Sequence, residues 1–211
     1  MVERGATERG ATERGATERG ATERGATAGG DAGAAAPTAR VFVGVWPPPD
    51  VSALLSSLER PALGAVRWTT PTQWHVTFAF LGNVAVSRID GVGTALVAAT
   101  ARAAAPPEAR LGPSTRRLGR SVLCVPVQGL DDLALSVRRA LAALLPGAGF
   151  GGPFDGHLTL ARSRGRRALP ASLAGAPVEA RWRVHQVDLV RSELGPAGAR
   201  YTTLVRATVP S

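Results

Sequence analysis

His75-Val76-Thr77-Phe78-Ala79-Phe80-Leu81, closed by Gly82-Asn83, and His157-Leu158-Thr159-Leu160-Ala161-Arg162 are the stretches on which the fold turns. Each is a short run of β-branched, aromatic and aliphatic residues, which predicts a strand. Along a strand, residues i and i+2 share a face. His75, Thr77 and Ala79 are therefore expected on one side, with Val76, Phe78 and Phe80 in a core. His157, Thr159 and Ala161 are expected opposite Leu158 and Leu160 in the same way. The chain has three His, and two of them open these matching strands.

The flanking segments repeat too. Val41-Phe42-Val43-Gly44-Val45-Trp46, stopped by Pro47-Pro48-Pro49, predicts a strand. Asp50 then caps a helix over 51–58, with Leu54, Leu55 and Leu58 on one face. A short extended piece is expected over 66–69 and a helix over 88–104, ended by Pro106. In the second half 122–127 predicts a strand whose Pro126 implies an edge or a bulge. Asp131 or Asp132 caps a helix to about Leu145, with Leu133, Val137, Leu141 and Leu144 as its stripe. Strands over 181–192 and 200–209 are joined by the hairpin signal Gly195-Pro196-Ala197-Gly198. Strand, helix, His-x-Thr strand thus occurs twice, which predicts an α+β fold of two similar lobes.

Residues 1–39 predict a disordered tail. Glu-Arg-Gly-Ala-Thr occurs five times from Glu3 to Thr27, and Gly- and Ala-rich chain follows. Such a segment buries too little apolar surface to offset its ordering entropy. Residues 40–211 are expected to form a single domain. The repeat is neutral, so of 25 basic and 16 acidic residues, 20 and 11 lie outside it. Every basic residue is Arg. A basic body is consistent with a polyanionic partner such as nucleic acid, and codon bias gives the same Arg usage. One cysteine, Cys124, excludes an intramolecular disulfide framework and a cysteine zinc site. No apolar run reaches the length of a membrane span, and the N-terminus carries no secretory signal, so a cytoplasmic protein is expected.

Two imidazoles suit general acid–base catalysis, because an unperturbed pKa near ~6.5 lets one be neutral and the other charged at neutral pH. Hydroxyls beside them donate to phosphate oxygens as charge builds there. Displacement at phosphorus needs a base on the entering side and an acid on the leaving side, which two opposed lobes supply without a metal. No His-x-His or carboxylate cluster accompanies the pair, so no metal or other cofactor is expected. His185 lacks the following Thr and is expected to be structural.

The sequence resembles the two-histidine phosphoesterase superfamily, and within it the bacterial RNA 2′,3′-cyclic phosphodiesterases, also called 2′-5′ RNA ligases. The resemblance runs from Arg40 to Pro210. It is carried by Arg40-Val41-Phe42-Val43-Gly44-Val45, Arg67-Trp68, the two His-x-Thr strands with their Phe-Leu-Gly and Leu-Ala-Arg continuations, and Val190–Pro196 with Gly198–Tyr201. It implies a bilobal α+β fold with two antiparallel sheets lining a central cleft and helices outside. The implied reaction is hydrolysis of RNA 2′,3′-cyclic phosphate ends to 2′-phosphates, with slow 2′-5′ ligation as its reverse. The resemblance makes His157 the proton acceptor and His75 the proton donor, with Thr77, Thr159 and Arg162 on the phosphate. The expected partner is such an RNA end, with no membrane and a monomeric protein.

Family members carry a basic residue and Pro before the second His, where this chain has Asp155-Gly156. Asp155 either hydrogen-bonds His157, raising its basicity, or sets a negative charge near the phosphate; a solvated loop carboxylate is the third reading. Arg162 falls on the opposite face from His157 in a regular strand, and a bulge would bring it round. Arg116, Arg117, Arg120, Arg164, Arg166 and Arg167 suit either RNA backbone phosphates or a solvated loop. Trp46, Trp68 and Trp74 are expected in the core rather than as base-stacking platforms. Gly147–Gly152 has the dinucleotide-binding glycine spacing but follows a helix and precedes a strand, the reverse of the required context. Cys124 is expected to be buried and inert. Two rival functions remain: a non-catalytic RNA-binding module, and a phosphodiesterase acting on a small cyclic nucleotide.

Overall fold

The β-branched run after the Ala-rich segment forms β1 (Thr38–Val45), and all of its residues but Thr38 and Arg40 are buried. The computed structural model describes residues 36–146, 150, 152–165, 167–195 and 198–211. Most of the expected tail therefore lies outside the described residues, as do Arg166 and much of Gly147–Gly152. Thr38 and Ala39 already belong to β1, so ordered chain starts before the expected Arg40. Residues Ala36–Ser211 form one compact unit.

The remaining strands are β2 (Val66–Trp68), β3 (Val76–Ala85), β4 (Glu108–Leu111), β5 (Arg116–Leu118), β6 (Val122–Gln128), β7 (His157–Ser163), β8 (Ala180–Arg183), β9 (Gln186–Gly195) and β10 (Gly198–Thr208). Three helices accompany them: α1 (Pro49–Ser56), α2 (Ile89–Thr100) and α3 (Asp131–Leu144). All pairings are antiparallel, in one hydrogen-bonded order β10-β9-β1-β3-β7-β6-β4-β8, with β2 beside β7 and β5 beside β6. The halves of the chain join along β7, which pairs with β2 over Val66–Trp68 and with β3 through one residue pair, Val76 with Leu158. Val76 follows His75 and Leu158 follows His157, so this seam lies beside both imidazoles. One cluster of apolar side chains, including Trp74, Phe78, Leu96, Leu123, Leu141, Leu158 and Leu189, runs through the unit.

Several local expectations change. The N-cap of α1 is Pro48, with Asp50 in the first turn and no side-chain cap. Its buried residues are Val51 and Leu55, an i, i+4 pair, whereas Leu54 is 38% exposed. The N-cap of α3 is Leu130; Asp131 and Asp132 occupy the first turn, where carboxylates favour the helix dipole. Leu133, Val137 and Leu141 are buried as expected, while Leu144 in the last turn is exposed. β6 lies inside the sheet rather than at its edge. On one side its partner changes from β5, opposite Val122–Cys124, to β4, opposite Val127 and Gln128. Pro126 falls in that changeover, where a missing N–H leaves no ladder bond unmade. The single strand expected over 181–192 is two strands, because the chain leaves β8 at Arg183 and crosses the sheet before β9 begins.

Candidate active site

Strand alternation alone does not build the site; a bulge in each His-x-Thr strand does. β1 pairs Gly44 with Thr77 and Val43 with Ala79, so Phe78 is an extra residue on β3. β6 pairs Cys124 with Thr159 and Leu123 with Ala161, so Leu160 is an extra residue on β7 at the equivalent place. One added residue moves everything after it to the other face. The cavity-facing sets are therefore His75, Thr77 and Phe80, and His157, Thr159 and Arg162, each at i, i+2 and i+5. This corrects three expectations. Ala79 and Ala161 are buried, and Phe80 is 63% exposed instead of lying in the core. Each bulge also frees a carbonyl that takes a donor from elsewhere. Arg138 Nε donates to Phe78 O at 2.6 Å, and Thr69 N to Leu160 O at 2.9 Å.

His75, Thr77, His157, Thr159 and Arg162 line one cavity of about 450 Å³. Arg40, Arg67, Gln73, Phe42, Phe80 and Tyr201 line it too, and no carboxylate is among the described residues around it. The two imidazoles are held alike. His75 Nδ1 donates to the Gln73 carbonyl at 2.8 Å, and His157 Nδ1 donates to the Asp155 carbonyl at 2.7 Å. A carbonyl only accepts, so Nδ1 carries the proton in the neutral ring and Nε2 keeps its lone pair for a ligand. In both cases the accepting residue is i−2, where the chain turns into the strand. Gln73 is anchored in turn: it closes the 3₁₀ turn Pro71–Gln73 in a capping box, and its Nε2 donates to Ala199 O at 2.9 Å.

The two rings differ in their surroundings. His75 stacks on Phe42 at 4.5 Å between ring centroids, with Tyr201 edge-on at 5.1 Å and Trp46 at 5.3 Å. This burial lowers its pKa to about 4, and the nearby positive charges of Arg162 and His157 push the same way, against the Gln73 hydrogen bond. At neutral pH the free protein therefore holds His75 neutral. Burial likewise raises the Tyr201 phenol, against Arg162, Arg40 and Arg67, so it remains a donor at neutral pH.

Asp155 is resolved by its partners. Its carbonyl orients His157, while its carboxylate pairs with Arg116 Nη2 at 2.5 Å, on β5 beyond β6. Gly156 has its own reason: a Cβ there would stand 2.2 Å from the Val127 carbonyl oxygen. Val127 N donates to Gly156 O at 2.8 Å, which draws the two strands together at that point. Of the loop arginines, Arg117 donates to Leu169 O, whereas Arg120, Arg164 and Arg167 are exposed. Trp74 is fully buried, Trp68 packs on the core, and Trp46 stands beside His75. His185 is exposed and lies outside the His75–His157 cavity, and Cys124 is buried, its thiol pKa raised by that burial. Sequence reasoning missed Arg40, Arg67, Gln73, Phe80 and Tyr201 as lining residues. Arg40, Arg67 and Tyr201 stood in the segments that carried the resemblance, which was the available signal.

Among the described residues no group of three or more His, Cys, Asp and Glu could hold a metal ion, and no helix is long and apolar enough to cross a membrane. No family model and no curated protein sequence matches the chain. Solved structures do. The chain is similar to TT0787 of Thermus thermophilus, with 30% identity, 81% of this chain and 97% of that one covered, and a TM-score of 0.66. It is similar in fold to E. coli LigT in apo form, at 24% identity, 82% and 99% coverage and a TM-score of 0.64. The E. coli LigT structure complexed with 3′-AMP matches at 22% identity, 83% and 100% coverage and a TM-score of 0.63. With two bulged His-x-Thr strands facing one arginine-lined cavity and the fold shared with these structures, the chain belongs to the two-histidine phosphoesterase superfamily.

Proposed function

We propose that this protein hydrolyses RNA 2′,3′-cyclic phosphate ends to 2′-phosphates without a metal, and that residues 40–211 work as one bilobal domain whose halves close on the phosphate. The observation that carries the reading is the matched pair of imidazoles, each tied through Nδ1 to the i−2 carbonyl and each with Nε2 left for a ligand in one cavity. His157 Nε2 takes a proton from water as the water oxygen bonds to phosphorus. The bond from phosphorus to the 3′ oxygen breaks, and His75 Nε2–H protonates that oxygen. Thr77, Thr159 and Arg162 hold the non-bridging oxygens as charge develops. Arg40 and Arg67 suit the phosphate of the preceding nucleotide, which favours an RNA end over a mononucleotide.

The donor role requires a proton on His75, which burial opposes in the free protein. A phosphodiester anion beside the ring works in the other direction, favouring the charged imidazole. Substrate binding thus supplies the charge that loads the acid.

The test is product identification with an oligonucleotide ending in a 2′,3′-cyclic phosphate, in EDTA. Conversion to a 2′-phosphate, abolished by His75→Ala and by His157→Ala, is the expected result. Thr77→Val and Thr159→Val are each expected to slow it by about 10²-fold, the scale for losing one oxyanion donor. Binding of the RNA end without conversion points instead to a non-catalytic module.

A further inference from the structure

Asp188 is buried, charged and unused by the proposed reaction. It sits on β9 opposite Gly44 of β1 and Arg206 of β10, and is 2% exposed. An unpaired carboxylate at such a place is strongly disfavoured, so its partners matter. Trp46 Nε1 donates to its Oδ2 at 3.1 Å, Thr203 Oγ1 donates to the same oxygen at 3.2 Å, and Arg206 Nε donates to Oδ1 at 3.3 Å. Asp188 does not line the cavity of His75 and His157; Trp46 is its link to that side.

Trp46 lies one residue past the end of β1, where Pro47 and Pro48 begin, so no sheet ladder fixes it. One side of its ring faces His75, at 5.3 Å between centroids, and Tyr201 at 5.9 Å. Trp46 also borders a second cavity, of about 390 Å³, lined by Trp182, His185, Asp188 and Arg206 among others. Close packing fixes a side chain only where neighbours fill the space around it. With open volume beside it, the indole has somewhere to swing, and the Nε1 bond to Asp188 opposes that motion. We infer that Asp188 is a positioning residue for His75: its carboxylate holds the Trp46 indole as the wall that sets the His75 ring and keeps water from it. The charged groups that lower the His75 pKa, Arg162 and His157, lie on β7 and are untouched by this bond, and the Tyr201 phenol of β10 stands edge-on to the His75 ring at 5.1 Å.

The inference rests on the reading of His75 as a catalytic group, so its test combines turnover with a readout that needs none. Asp188→Leu and Trp46→Phe are compared with the unaltered protein and with the double variant, after circular dichroism shows that each is folded. The His75 ring is titrated by ¹⁵N NMR, and kcat and KM are measured on the cyclic-phosphate oligonucleotide. Leu has no acceptor for the indole N–H and release of the indole admits water, so Asp188→Leu is expected to raise the His75 pKa by at least one unit from about 4. It is expected to lower kcat by roughly tenfold with little change in KM, the kind of loss that misplacement of a catalytic group causes. Trp46→Phe keeps an aromatic ring but loses the donor, and the double variant is expected to be no worse than the more impaired single one. A His75 titration unmoved in Asp188→Leu, or effects that multiply in the double variant, overturns the inference. If the unaltered protein turns over no cyclic phosphate, the functional reading fails while the titration still decides the role of Asp188.

Discussion

His75 concentrates the chemistry of this protein at the scale of one residue. Phe42, Trp46 and Tyr201 surround its ring, and the resulting burial lowers its pKa from 6.5 to about 4. The unfolded chain therefore binds a proton at this position that the folded chain refuses between those two values. Stability associated with His75 is complete above about pH 6.5 and is lost as the pH falls toward 4, by up to about 3 kcal/mol. Urea denaturation at pH 7 and pH 4.5 checks this: the drop in stability is expected to be smaller in His75→Gln than in the unaltered protein. An equal drop in both would mean that water reaches the ring.

At the scale of elements, each His-x-Thr strand approaches its neighbour past a glycine. A Cβ on Gly44 of β1 would meet the Val76 carbonyl oxygen of β3 at 2.7 Å. One on Gly156, just before β7, would meet the Val127 carbonyl oxygen of β6 at 2.2 Å. Backbone atoms cannot turn aside as a side chain can, so the strands themselves must part. Gly44→Ala and Gly156→Ala are each expected to destabilise the protein by about 1–3 kcal/mol, the usual range for overpacking. Gly156→Ala is expected to lower turnover as well, because the Asp155 carbonyl that orients His157 moves with it. Denaturation midpoints and initial rates measure the two effects separately. The bulges at Phe78 and Leu160 are elements of the same kind, and without them Phe80 and Arg162 would sit on the buried face.

For the whole molecule, the boundary of the working unit and its charge are the open variables. Pro37 O accepts from Val86 N at 2.9 Å, and Thr38 pairs with Ala85. Removal of residues 1–35 is therefore expected to leave turnover unchanged, while removal through residue 38 takes away the start of β1 and is expected to lower the melting temperature. Comparison of the two truncations by activity and thermal unfolding decides the point. Outside the neutral repeat, 20 Arg face 11 acids, and Arg40, Arg67 and Arg162 sit at the site itself. Affinity for an oligonucleotide end is expected to fall steeply between about 50 and 200 mM salt, by displacement of condensed counterions, more so than affinity for a mononucleotide.

Spacing and residue type in the chain determined the two His-x-Thr strands, the three helices and most strand positions, because alternation and helical periodicity are local properties. The family was legible for the same reason, in short motifs that survive as continuous residues. Tertiary structure decided the rest. A bulge is defined by a partner strand, so nothing within His75–Leu81 announces that Phe80 faces the cavity and Ala79 the core. β4 and β5, four and three residues long, exist through pairing, β4 with β8 and β6 and β5 with β6, and have little pattern of their own. Asp188, Trp46 and His75 come from β9, the residue after β1 and the residue before β3. Their contact depends on the sheet order, a long-range arrangement that no local window of sequence contains.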